Sequence, residues 1–171
     1  GTEFIHDITN FLTLSDGSIL IGGQIRQYAS DDNPQTFHLI TDAEGEQLWW
    51  NSYGAGNLGP GSFLNDGGIL FSKLQDNTVY AFAIDEAGQL LWEREMGEKA
   101  YPWGVVASPN GGFVTYRYHV LDKYSADIEL EWSQEYFVDQ IGLSIEDIHP
   151  YHEGFVFLGR KLNDEFITVI D

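Results

Sequence analysis

The stretch FAIDEAGQLLWE, residues 82–93, decides the fold because its pattern occurs three times in the chain. An earlier copy reads LITDAEGEQLWW at residues 39–50, and a later copy reads DKYSADIELEWS at residues 122–133. In each copy an apolar run leads into a turn, and a tryptophan follows seven residues after the residue that opens the turn. Internal periodicity of this kind is typical of a repeat architecture.

A second motif recurs between these copies, with a turn placed between two apolar runs. It reads LTLSDGSILIGG (12–23), SFLNDGGILFSK (62–73), VASPNGGFVTYR (106–117) and IHPYHEGFVFLG (148–159). The turn glycines of these four segments are separated by 50, 44 and 43 residues. Asp-Gly and Asn-Gly between alternating apolar residues predict β-hairpins, here with tight primed turns whose two central residues have positive φ.

The hairpin, the second turn and the tryptophan strand together predict a four-stranded meander of about 43 residues, the size of a β-propeller blade. No segment carries a helical apolar period over ten or more residues, so we predict an all-β fold. The chain is expected to be a single propeller domain or segment, with three complete blades and three strands of a fourth. The predicted blades span about residues 1–53, 54–96, 97–137 and 138–171.

The ends of the chain leave three interpretations open. Asp171 aligns with Asp42 and Asp85, so the last predicted blade lacks its tryptophan strand. The chain is then a segment of a longer ring of about six to eight blades, or its open sheet edge pairs with a strand from another chain. In the third interpretation, four blades form a small ring that the N-terminal residues TEFI close.

The motif AIDEAGQLLWEREMG (83–97) resembles the tryptophan-docking repeat of quinoprotein-like β-propellers, whose relatives bind pyrroloquinoline quinone. ITDAEGEQLWWNSYG (40–54) matches nearly as well, and the Asp-Gly hairpins look like repeats of secreted bacterial surface propellers. The resemblance implies that Trp49, Trp92 and Trp132 pack between adjacent blades as structural residues. It implies architecture rather than activity, because a fold does not determine a function.

The resemblance also sets the functional expectation. Quinoprotein dehydrogenases of this group hold a quinone and a calcium ion and often carry an adjacent-cysteine disulfide, whereas this chain has no cysteine. We therefore expect a non-catalytic binding or scaffolding module outside the cytoplasm, with a protein or a glycan as partner and no cofactor. The alternative is a fragment of a carbohydrate-active or quinone-dependent propeller enzyme whose catalytic residues lie outside this chain.

The net charge excludes several partner classes. The chain has 27 acidic and 8 basic residues, a formal net charge of −19, and these acids are spread along its whole length. A surface this negative repels phosphate backbones and anionic lipid headgroups, so nucleic acid is not an expected partner. The apolar runs are far shorter than the roughly 20 residues of a membrane-spanning helix, and no leader peptide is apparent, so membrane insertion is not expected either.

Two groups of side chains are candidates for partner binding. The loops that join blades present aromatic residues on one rim, which either stack on sugars and anchor peptides or cap the core: Trp50, Tyr53, Tyr101 and Trp103. Arg117 and His119 form a cationic spot that either receives a carboxylate or pairs with local acids.

Two further patterns are weaker candidates for ligand sites. Asp31 and Asp32 offer oxygen ligands for calcium, although the EF-hand spacing is missing, so no metal site is assigned. Glycines 54, 56 and 59 have the G-x-G-x-x-G spacing, but no helix is predicted after them to face a pyrophosphate. No nucleophile, base and orienting residue form a recognisable catalytic set.

The packing role of the repeated tryptophans is testable by Trp92→Ala. Because this change removes a large side chain between two blades, it should lower the free energy of unfolding by about 3–5 kcal/mol. Urea denaturation followed by circular dichroism measures the loss. A Trp92→Ala protein that keeps wild-type stability would contradict the structural assignment.

Overall fold

The computed structural model describes residues 5–26, 34–97, 104–136, 143–152, 154–161 and 164–170. These residues form sixteen β-strands and no helix. The strands make four antiparallel sheets, and with one exception in sheet 2 the strands that follow one another in the sequence are neighbours in the sheet. Three sheets have the full meander and the fourth has three strands, which confirms the all-β fold predicted from the repeats. The blade boundaries given above stay predictions.

The strands and their sheets are as follows. Sheet 1 contains β1 (Ile5–Thr13), β2 (Ile19–Arg26), β3 (Gln35–Thr41) and β4 (Gln47–Ala55). Sheet 2 contains β5 (Asn57–Leu58), β6 (Ser62–Phe63), β7 (Ile69–Gln75), β8 (Thr78–Ile84) and β9 (Leu90–Gly97), with β5 and β6 both paired to β7. Sheet 3 contains β10 (Gly104–Ala107), β11 (Phe113–Arg117), β12 (Val120–Tyr124) and β13 (Leu130–Glu135). Sheet 4 contains β14 (Leu143–Tyr151), β15 (Gly154–Lys161) and β16 (Asp164–Ile170).

The first hairpin of each full sheet exists as predicted, but the predicted turn type is wrong. In sheet 1, the Leu14 amide donates to the Ser18 carbonyl at 2.8 Å, and positive φ occurs at Gly17 (+89°) but not at Asp16. This is a three-residue loop with one left-handed glycine. Asp16 instead accepts hydrogen bonds from the amide and hydroxyl of Ser18, and these bonds lower the pKa of its carboxyl group.

In the second turn of each full sheet, the first residue of the turn makes the hydrogen bonds that hold the turn together. The Asp42 amide donates to the Glu46 carbonyl at 2.9 Å, and the Asp42 carboxylate accepts from the amides of Glu44 and Glu46. Asp85 repeats this arrangement with Gln89 at 2.8 Å, and the Ser125 hydroxyl takes the same place in sheet 3. These aspartates therefore have a turn-forming role.

The core lies between successive sheets rather than inside any one of them. Strands alternate their side chains between two faces, so each inner sheet packs on both neighbours. Three buried clusters result, between sheets 1 and 2, sheets 2 and 3, and sheets 3 and 4. Gly61 lets the backbone before β6 lie directly against the ring of Phe71, because a Cβ at this position would overlap that ring.

His38 is buried in the first of these interfaces without a polar partner. Its ring lies 4.1 Å from that of Phe71 and 5.2 Å from that of Tyr53, measured between centroids. Among the described residues, neither of its ring nitrogens has a hydrogen-bond partner. Burial lowers the pKa of His38 from 6.5 to about 3, because a charged imidazolium cannot be solvated there.

This burial predicts an acid-dependent loss of stability that is specific to His38. Between pH 6.5 and 3 the unfolded chain binds a proton at His38 and the folded chain does not. The free energy of unfolding is therefore independent of His38 above pH 6.5 and decreases as the pH is lowered from 6.5 towards 3. Between pH 7 and pH 4.5 the wild type should lose about 2–3 kcal/mol more than His38→Leu. Urea unfolding of both proteins at the two pH values measures this difference, and equal losses would refute it.

Candidate functional site

Sheets 1 and 2 are joined by a tryptophan that packs on a bare glycine backbone. Trp49, near the start of β4, covers Gly88 in the second turn of sheet 2, where a Cβ would overlap the indole ring. Gly88 has φ +75°, a left-handed conformation in which glycine is favoured. The hydroxyl of Tyr53 donates to the Gly88 carbonyl at 2.6 Å. Two side chains of sheet 1 therefore contact the same turn of sheet 2.

The interface between sheets 2 and 3 has a tryptophan at the equivalent strand position. Trp92 lies 6.2 Å from Phe113 between ring centroids and packs against the cluster that contains Tyr124. Ile128 occupies the position of Gly88 and keeps its left-handed φ of +65°, which is strained for a β-branched residue. Ile128 and Trp92 both pack against the cluster between sheets 2 and 3.

A second docking position follows each tryptophan by four residues and was not predicted from the sequence. Tyr53, Met96 and Tyr136 each pack against the core between their own sheet and the next. Burial raises the pKa of Tyr53 to about 12. The Tyr136 ring lies 5.8 Å from that of Phe157 in sheet 4. The three residues share size and position but not identity, so the sequence repeat does not reveal them.

Sheet 1 has one face that no described sheet covers, which we call the open face. A row of apolar side chains crosses all four strands of this face, paired strand to strand in the order Phe11, Ile21, Leu39 and Trp50. Phe11 is 66% exposed and Trp50 is 55% exposed. Ile25 and Phe37 lie beside the row, and with Leu39, Gln47 and Trp50 they line a groove of about 230 Å³.

The equivalent faces of the other full sheets are covered. The turn glycines and turn-opening residues align Ile21 and Leu39 with Phe71 and Phe82 of sheet 2, and both phenylalanines are fully buried against sheet 1. In sheet 3 the same alignment gives Thr115 and Asp122, which are also buried. The open face of sheet 1 therefore corresponds to the face that sheet 2 packs against sheet 1.

The structure places the predicted rim aromatics in two different environments. Trp50 lies on the open face, whereas Tyr53 lies between sheets 1 and 2 and takes part in docking. Tyr101 and Trp103 lie outside the described residues, as do Asp31 and Asp32 of the weak calcium candidate.

The predicted cationic spot is paired with local acids. Arg117 contacts the buried carboxylate of Asp122 at 3.3 Å, and Asp122 also accepts from the Ser133 hydroxyl at 2.5 Å. The His119 imidazole lies 3.9 Å from the carboxylate of Glu135. These contacts favour the structural alternative for Arg117 and His119.

Two buried polar residues that the sequence does not reveal connect sheets 1 and 2. Asn10 is buried and donates to the Gly59 carbonyl at 2.9 Å, while its own side-chain oxygen accepts from the Gly61 amide. The Lys73 ammonium group donates to the Tyr53 carbonyl at 3.0 Å and pairs with Glu93 at 2.9 Å. Asn10 aligns with Pro60 and Gly104, so periodicity carries no signal for it. Lys73 aligns with Arg117, and each of these cations pairs with an acid of its own sheet.

The described part of the chain shows neither a cluster of metal ligands nor a membrane helix. No three of its histidine, aspartate and glutamate side chains converge as a metal site would require. Within the same residues, no helix is long and apolar enough to span a bilayer.

Comparison with known proteins identifies the architecture. No family model and no curated protein sequence matches the chain. Among solved structures, the Dos1 propeller matches with a TM-score of 0.67 and 12% identity, over 96% of this chain and 46% of that one. A protein of unknown function from Bacteroides caccae gives 0.60 and 15%, over 89% and 56%. Streptogramin B lyase gives 0.56 and 13%, over 96% and 69%. The fold is a β-propeller.

These matches show the fold and not the activity, because the sequence identities are low. The chain spans about half the length of the Dos1 propeller and of the Bacteroides caccae protein. Its four sheets are propeller blades: two have four strands, sheet 2 has five because its inner strand is divided into β5 and β6, and sheet 4 has three described strands. The open face therefore belongs to the first described blade and is the face of that blade opposite sheet 2.

The docking contact can be tested with a matched pair of glycine variants. Gly88 and Gly45 occupy equivalent turns with φ +75° and +89°, but the Cβ position of Gly45 meets no atom within 4 Å. Alanine should cost about 1 kcal/mol at either site because of the left-handed backbone. Gly88→Ala should cost a further 1–3 kcal/mol or so, because its methyl group displaces Trp49.

Urea denaturation of the two variants and the wild type gives both costs. Equal losses at Gly45 and Gly88 would show that the Trp49 ring does not rest on the Gly88 backbone.

Proposed function

We propose that this chain is a non-catalytic binding and scaffolding part of a β-propeller, and that it binds a protein through the open face of its first blade. The observation that carries the proposal is the exposed apolar row from Phe11 to Trp50. The corresponding positions of the second blade are buried against a neighbouring blade. An apolar surface that crosses a whole sheet is characteristic of an interaction site.

The chemistry of the face suits a protein surface. Trp50 and Phe11 are large side chains that each bury on the order of 150–250 Å² when covered. At about 25 cal/mol per Å², covering these two alone is favourable by several kcal/mol before the cost of association. Exposed tryptophan is a typical anchor residue of protein interfaces.

The finer family assignment is part of the same proposal. We place the blades in the tryptophan-docking, quinoprotein-like group, supported by the Trp49–Gly88 contact and by its counterpart at Trp92. The similarity of the hairpin motifs to secreted bacterial surface propellers supports a location outside the cytoplasm. The acidic surface, with a net charge of −19, supports a partner other than nucleic acid.

Site-specific photo-crosslinking tests the binding surface. A benzophenone amino acid replaces Trp50 in cells that make the protein, and the matched control replaces Leu90, which is 51% exposed on the outer strand of the second blade. Position 50 should crosslink to one defined protein, identified by mass spectrometry, and position 90 should not. Indistinguishable crosslinking at the two positions would refute the proposal.

A glycan is the competing ligand for the same groove. Trp50 beside Gln47 offers a stacking ring and an amide, which together suit a sugar. Binding on a glycan array that is lost in Trp50→Ala, without a protein crosslink at position 50, would assign the groove to carbohydrate.

A second candidate function is a fragment of a propeller enzyme, carbohydrate-active or quinone-dependent, whose reaction centre lies in other blades. The likeness to streptogramin B lyase, over 69% of that chain, shows that enzymes occur among propellers of this shape. The test is an enzyme assay of the full-length protein that carries Trp50→Glu. Enzymatic activity that is unchanged by this substitution would favour the enzyme alternative over a binding module.

A further inference from the structure

We propose that a cleft between the second and third blades binds one pyranose ring of a glycan. The cleft has a volume of about 190 Å³ and lies between the outer strand of sheet 2 and the turns of sheet 3. The side chains that line it include Leu64, Asn65, Asp66, Trp92, Phe113 and Ala126. This site is separate from the open face of sheet 1, so the inference goes beyond the proposed function and does not depend on it.

One cause of the cleft is a missing bridge between two turns. Between sheets 1 and 2, the Ser15 hydroxyl donates to the Glu86 carboxylate, whose oxygens lie 3.0 and 3.1 Å away. Glu86 follows the turn-opening residue Asp85, and Ala126 has the same place after Ser125 in sheet 3. The methyl group of Ala126 cannot make such a bridge, so space that a glutamate would fill stays open beside it.

A second cause is the environment of the tryptophan. Trp49 covers the bare backbone of Gly88, whereas the equivalent turn position of sheet 3 carries the side chain of Ile128. Trp92 is instead stacked with Phe113, with 6.2 Å between the ring centroids and 23° between the ring planes. Trp92 is only partly buried there and forms a wall of the cleft. The cleft therefore offers an aromatic surface to a ligand.

The Asp66 carboxylate supplies a hydrogen-bond acceptor at this wall. Its equivalent in sheet 1, Asp16, accepts from both the amide and the hydroxyl of Ser18. Asp66 accepts from the amide of Gly68 at 3.1 Å, and Gly68 has no hydroxyl to donate a second bond. Asp66 is also exposed, so its carboxylate has acceptor capacity left for the hydroxyl groups of a ligand.

Two further polar side chains lie at or beside the cleft. The Asn65 amide donates to two backbone carbonyls in the first turn of sheet 3, at 3.0 and 3.3 Å, which holds this side chain at the wall. Arg94 follows Trp92 by two residues on β9, so both side chains are on the same face of sheet 2. The Arg94 guanidinium donates to the Asp127 carbonyl at 3.4 Å, directly after Ala126. A cationic donor therefore stands near the Asp66 acceptor.

This combination suits a neutral, hydroxylated ring. One face of a pyranose consists of C–H groups that pack on an aromatic ring, and its hydroxyl groups both donate and accept, so they can use Arg94 and Asp66 together. A singly charged ligand would meet a group of like charge at the same place. Drug-sized ligands occupy pockets of about 300–1,000 Å³. The cleft, at about 190 Å³, therefore has room for one ring.

Titrations followed by 1H–15N NMR test the site. The probes are the methyl glycosides of glucose, galactose, mannose and N-acetylglucosamine, with tetramethylammonium as a cationic probe. At least one glycoside should shift the amide signals of Gly111 and Gly112, whose backbone borders the cleft, and the indole N–H signal of Trp92. Tetramethylammonium should not shift them. Shifts caused by tetramethylammonium and by no glycoside, or by no probe at all, would overturn the proposal.

A matched pair of variants locates the binding. Ala126→Glu introduces the residue that Glu86 provides in the first interface and fills the cleft, so it should weaken binding of the same glycoside about tenfold or more. The control is Ala43→Glu, the same change at the equivalent, exposed position of the second turn of sheet 1, which should leave the affinity unchanged. Unchanged affinity in Ala126→Glu, or equal weakening by both variants, would refute the cleft as the site.

Trp50→Ala separates this inference from the proposed function. Glycoside binding in the cleft should persist in Trp50→Ala, and protein crosslinking at position 50 should persist in Ala126→Glu. Glycoside binding that is lost in Trp50→Ala but kept in Ala126→Glu would assign the sugar to the open face and overturn the cleft site. Loss of the crosslink alone would contradict the proposed function and leave the cleft site standing.

Discussion

The indole of Trp49 resting on the bare backbone of Gly88 is the contact on which the arrangement of the blades depends. It is possible because the turn needs a left-handed residue at this position and glycine leaves no side chain above it. The tyrosine four residues later binds the carbonyl of the same glycine. Two side chains of sheet 1 thus contact one turn of sheet 2, and the rings of His38, Phe71 and Phe82 pack together in the same interface.

The same geometry explains why the first sheet carries an unusual surface. A meander repeat has two faces, and each face packs on a different neighbour, so no sheet can bury both of its faces alone. Where a neighbour lies outside the described residues, apolar side chains such as Phe11 and Trp50 stand exposed. The proposed function rests on this exposed row, because large apolar side chains are well suited to bind a partner.

Residue periodicity predicted the four sheets, the tryptophan positions and the meander order, since these features recur with fixed spacing, but not the division of the inner strand of sheet 2 into β5 and β6. It did not predict the turn type, because Asp16 binds Ser18 and leaves the left-handed conformation to Gly17 alone. It interpreted Tyr53 as a rim residue or a core cap, and its docking role becomes visible only when Met96 and Tyr136 are seen in equivalent contacts. Asparagine occurs at the position of Asn10 in only one repeat, so only the tertiary structure shows that its side chain binds the Gly59 carbonyl.

A carbon-edited NOE spectrum of the labelled chain tests the central claim most directly. One Gly88 Hα points into the Trp49 ring, so we predict strong cross-peaks from the Trp49 indole to this proton and a large upfield ring-current shift. The Gly45 Hα protons should show neither, because nothing lies above that turn. Ordinary Gly88 shifts without an indole cross-peak would contradict the docking contact, and an indole cross-peak at Gly45 would show that this chain covers its own open face.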